Sequence, residues 1–474
     1  MLGTATEPVV IQGGMGVGVS NWRLARAVSR LGQLGVVSAT ALDTVLVRRL
    51  QDGDPNGDVR RSMERFPVPG VADAVLAQYF IPSGRAADAP YAMLPMYRRT
   101  VSRERQQITM LAAFVEVDLA KEGHRGLVGV NLLTKVQLPN LASLYGAMLA
   151  GVDYVLMGAG IPREIPAVLD AFASHQPASL RLDVEGMPAG EQIDLTFDPA
   201  EHTTGVTLPP LLRPKFLAII ASNSLATVLA RKASGRVDGF VVEGPTAGGH
   251  NAPPRGAPQF NALGEPVYGD RDVVDLSKLA ELGLPFWLAG SAGTPEALGA
   301  ARAAGAAGVQ VGTLFAWCAE SGITEALKRT VVEHLARGDV SVFTDPKASP
   351  TGYPFKVVAW PGSEDEAPRE RRCDLGYLRT AYRSDDGRLG YRCPAEPVET
   401  YLKKGGSYED TIGRRCLCNA LTADVGLGQL LDDGTSEPPL LTSGDDLTNL
   451  GRVLNGRAHY TVADVLDFLL TLPV

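Results

Sequence analysis

Long apolar runs are missing from this chain. No uninterrupted stretch reaches the roughly 20 residues that a bilayer requires, and Met1 to Pro8 shows no charged-then-apolar leader pattern. The expectation is a soluble, cytoplasmic protein. An excess of positive charge is missing too. The formal net charge is -8, which argues against a nucleic-acid binder with its basic face. Cysteine is scarce: five in 474 residues do not make a disulfide framework. Several catalytic signatures are also absent. There is no His-x-x-x-His, no paired Cys-x-x-Cys and no Gly-x-Ser-x-Gly in a usable context, which weakens metallohydrolase and serine-hydrolase readings. Cys373, Cys393, Cys416 and Cys418 could form a four-thiolate zinc site in principle. The Cys-x-Cys spacing is tighter than in zinc knuckles, and the expectation is no metal.

What the chain has in plenty is glycine, 52 residues of it, set between short apolar runs. Eight such runs are followed by a turn and then a helical pattern: Val9 to Gln12, Leu34 to Ser38, Leu127 to Leu133, Tyr154 to Met157, Phe216 to Ala221, Gly239 to Val242, Phe286 to Ala289 and Val309 to Val311. Buried strands alternating with helices indicate an α/β protein with a parallel sheet, and eight is the number that closes a (β/α)8 TIM barrel. An open doubly wound sheet competes. Its dinucleotide fingerprint is incomplete, since Gly16 and Gly18 lack the third glycine. Helix starts are legible. Thr294-Pro295-Glu296 supplies an N-cap, a first-turn proline and an acid. Ser20 or Asn21, and Ser321 or Thr324, are further cap candidates.

The barrel is expected over 1–337. Two connections are too long for ordinary loops. Residues 52–126 read as an inserted helical cap over the barrel mouth, with an amphipathic helix from Ser102 to Glu122. Ser174 to Leu212 contains Leu180 to Val184 and Gln192 to Phe197, a candidate hairpin. Residues 338–474, rich in proline and glycine, read as a C-terminal extension packed on the barrel.

Chemistry in such barrels sits at the C-terminal ends of the strands. The central segment Glu243-Gly244-Pro245-Thr246-Ala247-Gly248-Gly249-His250 follows the sixth run. Gly248 and Gly249 leave backbone N–H groups bare for a planar or phosphorylated ligand. His250 titrates near neutrality in the free state and suits proton transfer. Its flanking glycines and strand-end place favour a functional role over a packing one. Glu243 either bonds a polar ligand group or braces its loop. Gly290, Ser291 and Gly293 follow the seventh run, and Gly312 and Thr313 the eighth. Two adjacent glycine loops there favour a bound phosphate. Gly13, Gly14 and Met15 after the first run either lie against a ring system or make a close turn. Asn131 either pairs with a heterocycle edge or bonds local backbone. Ser222 is a ligand candidate at its strand end, whereas Lys215, at the strand's other end, reads as structural.

Taken together, Gln12-Gly13-Gly14-Met15-Gly16, the Glu243 to His250 segment, Ala289-Gly290-Ser291-Ala292-Gly293 and Val309-Gln310-Val311-Gly312-Thr313 resemble nitronate monooxygenase, formerly 2-nitropropane dioxygenase. That family shares its barrel and flavin site with flavin-dependent enoyl-acyl-carrier reductases. The resemblance spans most of Val9 to Ser321. It implies FMN at the barrel mouth, with phosphate on Gly290, Gly293, Gly312 and Thr313, the ring near Gly14, Met15 and Asn131, and His250 as the catalytic residue. The chain departs from the pattern after His250, where Asn251-Ala252-Pro253-Pro254-Arg255-Gly256 stands in place of Arg-Gly. The segments Lys347 to Gly352, Arg372 to Tyr377 and Gly413 to Asn419 resemble the tail of a longer branch that includes enoyl-reductase subunits of polyunsaturated fatty acid synthases. The lead expectation is an FMN-dependent oxidoreductase that oxidises alkyl nitronates with O2 to carbonyl compounds and nitrite. The alternative is an NAD(P)H-dependent enoyl-thioester reductase, for which an acyl carrier protein would be a partner. The oligomeric state is open.

Overall fold

The computed structural model describes residues 7–363 and 370–471. Stretches 1–6, 364–369 and 472–474 fall within the two expected domains and include most of the Met1 to Pro8 terminus; they lie outside the described residues. Eight strands form one parallel sheet: β1 (Val10–Gln12), β2 (Gly35–Ser38), β3 (Val128–Leu133), β4 (Tyr154–Gly158), β5 (Lys215–Ile220), β6 (Gly239–Glu243), β7 (Phe286–Ala289) and β8 (Gly308–Val311). The ladder runs from β2 through β3 to β8 and then to β1. A parallel bridge between Ile11 and Leu34 joins the two edges. Leu34 N donates to Val10 O at 3.1 Å, and Gln12 N to Leu34 O at 2.9 Å. The sheet is thus a barrel, and the open doubly wound alternative falls.

The strands are apolar on both faces because each is covered twice. Ile11, Val36, Leu156, Leu217, Val241 and Trp287 fill the interior. The one polar atom of the Trp287 ring is satisfied, its indole N–H donating to Pro8 O at 2.7 Å. The helix starts behave as their residues dictate. Asn21 caps Trp22–Arg30, Thr294 caps Pro295–Ala303 and Thr324 caps Glu325–Arg337.

The inserted segment differs from its expected role. The helix Arg103–Lys121 is buried on almost every side, not amphipathic. It packs against the helices Trp22–Arg30, Leu42–Gln51 and Asn140–Leu149 and against β3, within the outer ring of the barrel. Residues 52–126 contribute nothing to the cavity at the strand C-termini. A helix between three neighbours needs apolar residues all round. The expected hairpin forms as Ala178–Leu182 against Ile193–Phe197. Val184–Glu185 instead pairs with Ala381 and Tyr382 of the C-terminal extension.

That extension is built onto the barrel. Ser341–Asp345 pairs with Phe355–Ala359, and Thr380–Arg383 with Leu389–Arg392. The helix Val462–Leu470 packs on Trp22–Arg30 and Pro295–Ala303. A buried ion pair lies where insertion, barrel and extension meet. Arg105 and Asp43 are 2.7 Å apart, with both side chains nearly inaccessible. Tyr377 donates its hydroxyl to Asp43, and Thr109 bonds the other carboxylate oxygen at 3.0 Å. Burial pushes the Asp43 carboxyl up, but Arg105 and the Tyr377 hydrogen bond hold it below the usual range. Removing one partner strands the other charge in the interior. Asp43→Ala is therefore expected to cost roughly 3–5 kcal/mol, read as a lowered denaturant midpoint. No helix among the described residues is long and apolar enough to cross a membrane.

Candidate active site

A cavity of about 380 Å³ opens at the C-terminal ends of the strands. That size encloses most of a small organic ligand. Its walls come from the loops after all eight strands and from the extension. Three of its residues, Ala41, Ala159 and Ser291, hold positive φ angles of 56°, 55° and 50° without being glycine. Such conformations cost energy and gather where function over-determines the backbone.

Gly13, Gly14 and Met15 line the cavity. Gly14 passes so close to Asn131 that a Cβ there would lie 2.3 Å from the Asn131 Cβ, so any side chain forces the two loops apart. The loop is held from behind by Ser20, whose hydroxyl accepts from Met15 N at 2.9 Å and donates to Gly13 O at 3.0 Å. Asn131 uses its amide nitrogen on Leu156 O at 3.1 Å, which leaves its carbonyl oxygen for a ligand donor. Ser222 does not line the cavity. Its hydroxyl accepts from Leu225 N at 3.1 Å as the N-cap of Asn223–Lys232. Lys215 pairs with Glu7 at the far end of its strand.

The glycine loops are less bare than their sequence suggests. Gly248, Gly249, Gly290, Ser291, Gly312 and Thr313 line the cavity, whereas Gly293 does not. Gly249 N donates to Thr442 Oγ1 at 2.9 Å, and Gly249 O accepts from Lys356 N at 3.0 Å. Gly293 N donates to Asp446 Oδ2 at 3.0 Å, and Gly444 N to Thr313 Oγ1 at 3.0 Å. A stretch of the extension, residues 442–446, thus takes some of the amides and hydroxyls assigned to phosphate. Burial pushes the Asp446 carboxyl above its ordinary value, with Asp445 adding to the effect.

His250 lies in the cavity wall, edge-on to Phe355 with ring centres 4.8 Å apart. Its Nε2 is 2.6 Å from Ser349 Oγ, and Ser349 in turn meets Thr351 Oγ1 at 2.8 Å. Burial lowers its pKa to about 4, so the ring is neutral at ordinary pH. The adjoining backbone pairs with the extension, Asn251 N donating to Pro354 O at 2.9 Å. Sequence reasoning singled out Lys347 to Gly352 but gave no reason to place Ser349 on the histidine. It also missed the extension's share of the chamber: Phe355, Leu378, Leu417, Cys418 and Leu441.

Glu243 faces both this cavity and a small outer recess lined by Arg255, Tyr268 and Asp272. Burial raises its pKa to about 7. The folded protein thus holds a proton here between about pH 4.5 and 7 that the unfolded chain releases. This contribution is fully present below the unfolded value and is lost as pH rises through the folded one. Glu243→Gln is expected to be more stable than the parent at pH 8, by on the order of 2–3 kcal/mol, and equally stable at pH 4. Denaturation at the two pH values reads the difference.

The chamber fits a flavin. Buried polar atoms without a partner, Gln310 Oε1, Asn251 Oδ1 and Ser443 Oγ, belong to residues that line it, and orphaned buried groups of this kind call for a ligand or water. Gly14 and Met15 offer a flat floor. The loops at 290–291 and 312–313 remain beside Asp446 for an anionic end.

An eight-stranded parallel barrel with a strained, partly apolar chamber at its strand C-termini is the architecture of an enzyme. A family model described as nitronate monooxygenase matches residues 207–350, a stretch that holds β5 to β8, His250 and both late glycine loops. The match takes in three of the four motifs, those at 243–250, 289–293 and 309–313, and agrees with the resemblance read from them. No curated protein matches the chain. Among solved structures, FabK from Thermotoga maritima is 16% identical, covering 98% of this chain and 93% of its own, with a TM-score of 0.46. Nitroalkane oxidase from Streptomyces ansochromogenes is 15% identical, covering 98% and 96%, with a TM-score of 0.48. The enoyl reductase domain of MlnA from Bacillus amyloliquefaciens is 12% identical, covering 98% and 92%, with a TM-score of 0.44.

Proposed function

We propose that this protein is an FMN-dependent oxidoreductase of the nitronate monooxygenase type, converting an alkyl nitronate and O2 to a carbonyl compound and nitrite. The observation that carries the reading is a neutral imidazole, His250, held by Ser349 in the wall of a chamber bounded by the two late glycine loops. Bound FMN would supply the two-electron acceptor that side chains lack. The rest is the chain's own work.

A neutral ring can donate one hydrogen bond and accept another. With Nε2 engaged by Ser349, the ring has Nδ1 left for the substrate. As a donor it would orient a nitronate oxygen without requiring a buried positive charge. As an acceptor it would take the α-proton of a neutral nitroalkane. Leu378, Leu417 and Leu421 give the chamber an apolar side for an alkyl chain. Gly14, Met15, Asn131 and Gln310 would hold the ring system, Glu243 and Asn251 its polar arm, and Gly290, Ser291, Gly312 and Thr313 its anionic end.

One observation favours the second reading, reduction of an enoyl thioester with NAD(P)H. Tyr377 and Leu378 line both the chamber and an adjoining recess of about 380 Å³, bordered by Lys135, Arg181 and Arg379. A substrate carried on a long arm would use both spaces. The test is anaerobic reduction of the flavin-loaded protein, run in parallel with propionate 3-nitronate and with NADPH. Bleaching by the nitronate alone supports the lead, and bleaching by NADPH, reversed by an enoyl thioester, supports the second. A colourless protein that takes up no FMN overturns both.

A further inference from the structure

The extension brings four cysteines into one neighbourhood beside the chamber. Two hydrogen bonds fix their surroundings. Arg371 Nη1 donates to Pro394 O at 2.9 Å, which lays the chain before Cys373 against the chain after Cys393. Asn419 Nδ2 donates to Asp374 Oδ1 at 2.6 Å, which ties Cys373 to the helix carrying Cys418. The Cys373 and Cys393 thiols lie close enough for each to shift the other's titration. Cys393 is buried and Cys373 is half-buried. Cys418 lines the chamber. All are free thiols, and among the described residues no three of His, Cys, Asp and Glu are arranged to hold a metal ion. The cluster is therefore a close pair with two further thiols nearby.

We propose that Cys373 and Cys393 form an oxidisable dithiol that a hydroperoxide converts to a disulfide across the base of the hairpin Thr380–Arg383 and Leu389–Arg392. Cys373 is suited to attack. It is the more accessible of the two, half-buried where Cys393 is buried, and the neighbouring Cys393 lowers its pKa against the opposing effects of burial and Glu396. The thiolate is the nucleophilic form. Its sulfur bonds to one peroxide oxygen, the O–O bond breaks, and hydroxide or alkoxide leaves, giving a sulfenic acid on Cys373. The Cys393 sulfur then bonds to the Cys373 sulfur. The S–O bond breaks and the oxygen departs as water with a proton from the medium and the proton already on it, while the Cys393 proton passes to the hydroxide or alkoxide. Two electrons leave the two sulfurs and two reduce the peroxide. The closed loop contains Tyr377 and Leu378, both chamber walls, so the bond would staple one side of the chamber.

The experiment is peroxide treatment of the full chain, followed by alkylation and peptide mapping. Free thiols are expected to fall from five to three, with one new cross-linked peptide pair containing Cys373 and Cys393, reversed by dithiothreitol and accompanied by a higher melting temperature. Cys318, buried with its thiol donating to Phe315 O, serves as the internal control and should stay reduced. In Cys393→Ser the sulfenic acid should persist on Cys373 and be trapped by dimedone. The mapping of the unmodified chain stands even where that variant fails to fold. Five alkylatable thiols after peroxide, or sulfinic acid on Cys373 with Cys393 still free, would overturn the proposal. So would zinc that co-purifies in stoichiometric amount and shields all four thiols until chelated.

Discussion

Replacing His250 with alanine is expected to lower turnover roughly 10²–10⁴-fold while FMN remains bound. Both halves follow from where the ring sits. It lies in the chamber wall, and among the described residues its ring bonds to Ser349 alone. The groups that would hold the cofactor are largely on other loops, after β1, β3, β7 and β8. Loss of the ring removes a proton acceptor and donor but leaves the floor and the anion end. Turnover with nitronate and flavin fluorescence, measured on the same sample, separate the two. The pH dependence adds a sign. Burial lowers the His250 pKa to about 4, so the neutral ring persists well below its ordinary titration point. The rate limb that depends on neutral His250 should stay level down to about pH 4. Stability runs the other way. Between about 6.5 and 4 the unfolded chain binds a proton that the folded one refuses. The stabilisation from the buried neutral ring is present above 6.5 and is lost as pH falls through this window. His202, stacked on Phe197 and lowered to about 4 by burial, acts in the same direction. Full activity in His250→Ala would remove this residue from the mechanism.

Ending the chain at Gly338, after all eight barrel strands, is expected to leave no soluble folded protein. Phe355, Val358, Leu441, Leu447, Leu450 and Leu469 of the extension are all buried. Burying six such side chains contributes roughly 10–20 kcal/mol, comparable with the roughly 5–15 kcal/mol by which a folded domain exceeds its unfolded chain. The cut also uncovers their partners, including the helix Trp22–Arg30 beneath Val462–Leu470. Soluble yield and the presence of a cooperative melting transition measure the outcome. A truncated chain that melts cooperatively and binds flavin would show that the barrel stands alone.

Much of this was legible beforehand. All eight barrel strands begin and end within a residue or two of their apolar runs, because strands covered on both faces are mostly apolar, with their few polar residues, such as Asn131 and Gln310, turned to the site or at strand ends. Asn21, Thr294 and Thr324 cap where capping chemistry puts them. Other features were hidden for physical reasons. Ser222 sits at a strand end that is also a helix start, and a hydroxyl there reads the same whether it meets a ligand or the Leu225 amide. Arg103–Lys121 looked like a mouth-covering helix because nothing local reveals three neighbours. The glycines at 248, 249 and 293 were read as room for a ligand. Part of that room is taken by Thr442, Gly444 and Asp446, about two hundred residues further along for the first two glycines and about one hundred and fifty for Gly293. Ser349 belongs to a proline-containing turn without periodicity, so no pattern in the chain could set it beside an imidazole.

The chamber closes late in the making of the protein. At ordinary synthesis rates of roughly 5–20 residues per second, the last strand of the ring is complete on the order of ten seconds before the segment at 442–446 is translated. Throughout that interval the eight strands lack the buried side chains of the extension that hold them in a settled barrel. Cofactor capture would therefore follow the arrival of the extension, which sets Asp446 on the Gly293 amide and completes the chamber wall. The order of events on the ribosome, and not affinity alone, would then decide how much of the protein is born loaded.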